Sequence, residues 1–236
     1  MATRTLEQRL ERAEAYIAVN NLIGRYGFYM NGQQWARIPE LFAQKTPGVT
    51  SEVTSNGVYK GIEQVRKLWG GFLAGPRMLA EGATEAEKER YRKERDRIGR
   101  LTVHQFTTPV IEVAGDAKTA RGVWMSPGQS SMRDEKGDLQ AYWLFGKIEA
   151  DFVKEDGEWK FWHHHAYITI RTKFEESWVK SAEAGKKWYP GAHDKMHSRD
   201  DFPADAPTTY HRMYDPETAL DMVPAPPEQY ETYKGD

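Results

Sequence analysis

Three histidines offer this 236-residue chain a means of moving protons. His163 and His165 alternate within the aromatic stretch 159–167, and His104 sits in a second extended stretch. Imidazole gives or takes a proton near neutral pH, and burial or a neighbouring carboxylate tunes it further. Stretch 159–167 follows Asp156-Gly157 and reads as a strand. Regular alternation puts Trp159, Phe161, His163, His165 and Tyr167 on one face, with Lys160, Trp162, His164, Ala166 and Ile168 on the other. The first face is expected to line a cavity that His104 also reaches, and His164 to point away into structure or an interface. One open alternative is that the histidines are hydrogen-bonded for structure only. Another is a metal: His-x-His with a third histidine binds Zn²⁺ or Fe²⁺ in other proteins. The sequence fixes no carboxylate ligand beside them, and no metal is expected.

Composition narrows the field. A net charge of −2 and a pI near 6.4 give no sign of a nucleic-acid partner. The basic run at 90–100 is interleaved with Glu94 and Asp96, as on a solvated helix. With no cysteine, disulfides, thiolate metal sites and cysteine nucleophiles are excluded. No apolar run approaches the ~20 residues that span a bilayer, and the first residues lack a signal core. A cytoplasmic location without a membrane partner is expected. No phosphate-binding glycine loop and no serine elbow appears.

The elements that must hold these groups follow from pattern. Thr5 and Gln8 form a capping box opening a helix that runs to about Met30, with Asn31-Gly32 as a turn. A short helix carries Trp35, Ile38, Leu41 and Phe42. A hairpin is expected over 49–60 and a third helix over 61–73. A charged helix at about 84–98 follows a linker. Strands are expected at 101–113, 119–126, 139–153 and 159–171, with Pro109 marking a bulge and Pro127-Gly128 a loop. Helices first and antiparallel strands later indicate an α+β domain over 1–173. Residues 174–187 read as helix. The proline-rich remainder to 236 is expected to pack on the domain or on a partner subunit.

Several words in this order resemble the SnoaL-like branch of the NTF2-like superfamily. They are Arg25-Tyr26 with Glu40-Leu41-Phe42-Ala43, Tyr59-Lys60-Gly61, the stretch 108–116 with Lys118-Thr119-Ala120, and the stretch 151–160. The resemblance covers about residues 6–172. It implies a cone: a curved antiparallel sheet on N-terminal helices enclosing a pocket, with proton chemistry and no cofactor. The broad outer sheet face of such a cone implies a homo-oligomer, a dimer or larger. The words Thr-Pro-Val-Ile-Glu-Val at 108–113, Trp-His-x-His-x-Tyr at 162–167 and Val-Pro-Ala-Pro-Pro at 223–227 resemble the bacterial diarylpropane lyases. That implies a lignin-derived phenolic dimer as substrate, losing water and formaldehyde through a quinone methide to give a stilbene.

The resemblance also implies site residues. Glu52 falls near the general-base carboxylate of ketosteroid isomerase, and an apolar pocket would raise its pKa; an exposed edge glutamate is the alternative. Tyr26 and Tyr29 would hold substrate oxygens from the first helix, or be buried structural tyrosines. Proton transfer is assigned to Glu52, His104, His163 and His165, with Tyr26 and Tyr29 beside them. Trp69, Phe106, Trp124, Trp143 and Tyr167 are expected to wall the substrate, although strand aromatics are more often core. Lys147, Glu149 and Asp151 read as a solvated or dimer-facing surface. Two other functions stay open. One is a dehydratase, isomerase or cyclase on another aromatic or polyketide substrate. The other is a non-catalytic binding or assembly subunit.

Overall fold

The computed structural model describes residues 4–53, 57–72, 84, 85, 89, 99–133, 138–180, 203–209 and 213–234. Helix α1 spans Leu6–Asn31. Its capping box is made: Thr5 Oγ1 accepts from Gln8 N at 3.2 Å, and Gln8 Oε1 accepts from Thr5 N at 3.0 Å. Ala15, Val19, Leu22, Ile23 and Tyr26 recur at helical spacing and are buried. A 3₁₀ helix follows at Trp35–Leu41. Strands β1 (Thr50–Val53) and β2 (Gly57–Lys60) pair antiparallel, then α2 (Ile62–Arg66) runs on in π geometry over Lys67–Phe72.

The second half is sheet: β3 (Leu101–His104), β4 (Thr107–Val113), β5 (Thr119–Arg133), β6 (Leu139–Glu155) and β7 (Glu158–Lys173). The strand order is β2-β1-β7-β6-β5-β3, with β4 also on β5. All pairs are antiparallel except β1–β7. The expected strand at 101–113 is therefore two, and its register shifts between Thr107 and Val110, around Pro109. Pro127-Gly128, expected as a loop, lies inside β5, where the absence of a side chain on Gly128 admits the Val103 carbonyl of β3. Residues 174–180 form turns rather than the expected helix. Most of the expected charged helix at 84–98, and residues 181–187, lie outside the described residues. No helix among the described residues is long and apolar enough to cross a membrane.

Asp156 and Gly157 both take positive φ, 51° and 85°, and turn β6 into β7. Soon after the turn, two residues of β7 oppose one step of β6: Phe152 pairs Phe161 and Asp151 pairs His163. Trp162 is the extra residue, a bulge. A second bulge falls at Thr169, between the Gly146–Ile168 and Phe145–Ile170 pairs. The expected single face of alternating residues is thereby broken. Phe161 and His164 turn toward α1, while Trp162, His163, His165 and Tyr167 turn to the other side. On the helix side Phe42, Phe152 and Phe161 are fully buried and cluster at 5.0–5.2 Å between ring centroids.

The other side of the sheet carries the chain's own tail. Ala206 bridges Val58, Tyr214 N donates to Thr169 O at 2.7 Å, and Gly115 N donates to Tyr230 O at 2.9 Å. Much of the outer face expected to meet another subunit is thus occupied from within the same chain. Phe161→Ala should cost about 3–5 kcal/mol of unfolding free energy, read as a lower urea midpoint with native secondary structure kept.

Candidate active site

The sheet sorts the expected site residues into two groups on opposite faces. On the helix-facing side, β3 presents His104 and β5 presents Ser126 and Ser130. Asn31, at the end of α1, clamps the His104 backbone from both sides. Its Oδ1 accepts from His104 N at 2.8 Å and its Nδ2 donates to His104 O at 3.0 Å. The ring Nδ1 lies 3.3 Å from Ser126 Oγ. Burial first, and then the Arg171 cation, lower the His104 pKa to about 4. His104 is therefore neutral at neutral pH, with one ring nitrogen able to accept a hydrogen bond. Arg171 reaches this face because the Thr169 bulge shifts the alternation. Its Nη2 donates to Met132 Sδ at 3.1 Å, and its guanidinium lies 5.5 Å from the Tyr142 ring centroid.

Deeper on the same side stands His164. Trp69 Nε1 donates to Ser51 Oγ at 3.3 Å, and Ser51 Oγ lies 3.3 Å from His164 Nδ1. His164 Nε2 has no hydrogen-bond partner among the described residues. The ring sits among Tyr26, Trp69 and Phe161 at 5.0–5.9 Å. Burial lowers its pKa to about 3, with His165 adding to the shift. Trp124 Nε1 and Ser130 Oγ are likewise buried without a partner among the described residues. Burial raises the Tyr26 pKa far above its usual value, so it stays a neutral phenol. An unsatisfied buried polar atom costs about 1–3 kcal/mol. All three lie on the helix-facing side of the sheet.

On the tail-facing side, Glu52 is only 6% exposed, not an open edge residue. Its carboxylate accepts from the Thr208 hydroxyl, from Thr209 N at 2.6 Å and from Thr209 Oγ1 at 2.9 Å. His165 Nε2 lies 3.1 Å from Glu52 Oε1, without hydrogen-bond alignment. Burial lowers His165 to about 4, against the pull of Glu52. His165 stacks on Tyr167 at 3.7 Å, and the Tyr167 hydroxyl donates to Glu149 Oε2 at 2.7 Å. His163 Nδ1 is 2.9 Å from Asp151 Oδ2, and Arg121 Nε lies 3.5 Å from Asp151 Oδ1. A cavity of about 730 Å³ lies between these groups and residues 225–230.

Tyr26, Trp69, Phe106 and Trp124 thus share the helix side with His104, while Glu52, His163, His165 and Tyr167 lie across the sheet. The expectation that all of them converge on one pocket is corrected by the Trp162 bulge. Tyr29 is half-buried under the Arg37 guanidinium, 4.3 Å from its ring centroid. Trp143 leaves the proposed wall: it faces away from α1 and stacks on Phe174 at 5.7 Å. His164, expected to point away, faces the aromatic core. Asp151 and Glu149, read as solvated surface, line the tail-side cavity. Asn31 was legible only as a turn residue. Plain alternation from Phe161 also places Arg171 on the helix side, and the two bulges cancel to keep it there. No group of three or more His, Asp or Glu side chains among the described residues is placed to hold a metal ion.

His104, His164 and His165 all have folded-state pKa values below the ordinary 6.5. The unfolded chain therefore binds more protons as the pH drops below about 6.5. Their stabilisation is complete above that pH and is lost as the pH falls through about 4. Thermal unfolding should show Tm falling steeply over this window, with about 1.4 kcal/mol per pH unit from each histidine. Asn31→Ala should release the His104 backbone and cost about 1–3 kcal/mol, and Asn31→Asp should recover only part.

Comparison with known proteins fits this architecture. The family model of the SnoaL-like domain matches residues 11–165. No curated protein matches the chain. Among solved structures, LinA superposes with a TM-score of 0.52 at 16% identity, over 72% of this chain and 96% of LinA. The hexachlorocyclohexane dehydrochlorinase LinA-type3 of Novosphingobium barchaimii LL02 gives 0.50 at 16%, over 72% and 96%. A candidate scytalone dehydratase of Novosphingobium aromaticivorans DSM 12444 gives 0.50 at 15%, over 73% and 94%. Identities this low speak for a shared NTF2-like fold and no more. With two thirds of its length under the family model and the cone in place, the chain belongs to the SnoaL-like domain family.

Proposed function

We propose that this protein is a cofactor-independent carbon–carbon lyase acting on a phenolic aromatic dimer of the diarylpropane diol type, working on the helix-facing side. The observation that carries the reading is His104 beside Arg171: a buried neutral imidazole next to a fixed cation, on a face rich in rings. Rings suit an aromatic dimer, the guanidinium suits a phenolate, and the imidazole suits a proton in transit. The sequence words shared with diarylpropane lyases supply the substrate class.

The chemistry balances as follows. The para-hydroxyl of one ring gives its proton to solvent beside Arg171. The phenolate pushes its electron pair through the ring and expels the benzylic hydroxyl, which takes a proton from solvent and leaves as water. The resulting quinone methide accepts the electron pair of the adjacent carbon–carbon bond while His104 removes the proton of the terminal CH₂OH. That bond breaks, formaldehyde leaves, and a stilbene phenolate remains. His104 gives its proton to solvent, and the stilbene phenolate regains one. Glu52, His163 and His165 lie across the sheet and take no part.

Purified, metal-stripped protein incubated with such a diol should release formaldehyde and stilbene in equal amounts. His104→Gln should lower the rate by about 10²–10⁴, with the thermal unfolding transition retained. Silence with every diastereomer, or an unimpaired His104→Gln variant, would overturn the proposal. Water loss without formaldehyde would replace it with a dehydratase.

A further inference from the structure

The tail-facing cavity is separate from the site above, and six of its seventeen lining residues lie beyond the stretch the family model matches. Its floor is sheet, contributed by Glu52, Arg121, Glu149, Asp151, His163 and His165. Its roof is residues 225–230, which lie beyond the residues matched by the family model. The tail is pinned on both flanks of the opening. Glu52 holds Thr208 and Thr209, Lys147 Nζ donates to Val223 O at 2.7 Å, and the Tyr233 hydroxyl donates to Asp151 Oδ2 at 3.2 Å. An open sheet face thereby becomes a chamber of about 730 Å³, within the usual size of small-molecule pockets.

The chamber is rich in acceptors and poor in free donors. His163 Nδ1–H donates to Asp151 Oδ2 at 2.9 Å, so in the neutral ring Nε2 is an acceptor. His165 is neutral, and its buried Nε2 has no aligned hydrogen bond. Four carboxylates line the space, from Glu52, Glu149, Asp151 and Glu228, against one guanidinium, Arg121. That guanidinium is directed at Asp151 and at the Tyr230 and Tyr233 rings, 5.7 and 4.8 Å from their centroids. A molecule that fits must bring donors and positive charge, and an anion is repelled. Tyr230 and the His163 ring add aromatic surface of the kind that attracts ammonium groups.

We propose that this chamber is a second ligand site, taking a small organic ammonium ion, with its N–H groups shared between the carboxylates and the open imidazole nitrogens. The proposal is independent of the lyase reading.

Three probes of one skeleton test it by calorimetry on the full-length protein: tyramine (cation), para-ethylphenol (neutral) and para-hydroxyphenylpropionate (anion). Tyramine should bind, and the other two should bind at least roughly tenfold more weakly. Glu228→Gln, an exposed roof substitution, and Glu149→Gln, on the floor, should each weaken tyramine roughly three- to tenfold. His104→Gln should leave tyramine binding unchanged, which separates this site from the helix-facing one. Equal binding of all three probes, preference for the anion, or insensitivity to both glutamate substitutions would overturn the proposal. So would loss of binding in His104→Gln.

Discussion

One extra residue in β7 decides what this protein can do with its histidines. Trp162 bulges out opposite the Asp151–Phe152 step, and the side chains from His163 to Ile168 change face. The bulge is held from both sides. Phe161 and Phe152 are locked in the helix-side core, while Trp162 Nε1 donates to Pro47 O at 2.8 Å and its ring stacks on His163 at 4.5 Å. Without it, His163 and His165 would enter the core with Phe161, and His164 would face the tail. The bulge at Thr169 repeats the device further along. It turns Arg171 toward His104 and frees the Thr169 carbonyl for the tail.

The two faces differ in how they treat charge. On the helix side, burial keeps His104 and His164 neutral and leaves donors and acceptors uncommitted among aromatic rings. Such a surface favours flat, weakly polar molecules with one or two oxygens to place. On the tail side, carboxylates dominate and are partly quenched by threonines, Arg121 and imidazoles. The same sheet thus separates two chemistries that would disable each other in one pocket, because carboxylates beside a phenolate would oppose its ionisation.

Local rules were legible wherever a short motif sets the backbone. Thr5 and Gln8 cap α1, Asp156-Gly157 turns β6 into β7, and β1 pairs β2 as the alternation required. The family words located the cone correctly. What sequence could not carry was parity across a bulge, since Trp162 and Thr169 are ordinary strand residues by type. A parity error of one step moved His163, His165 and Tyr167 to the wrong face and hid His164. Nor does a proline-rich tail announce where it docks. Thr208 and Thr209 become meaningful only once Glu52 is seen beneath them.

The division of labour between the faces is the central claim, and a crystal of the protein soaked with a hydroxystilbene tests it most directly. The stilbene should lie on the helix-facing side, with a phenolic oxygen near Arg171 and its linking carbons near His104. Stilbene density beneath residues 225–230, against His163, with the helix side unaltered, would contradict the account.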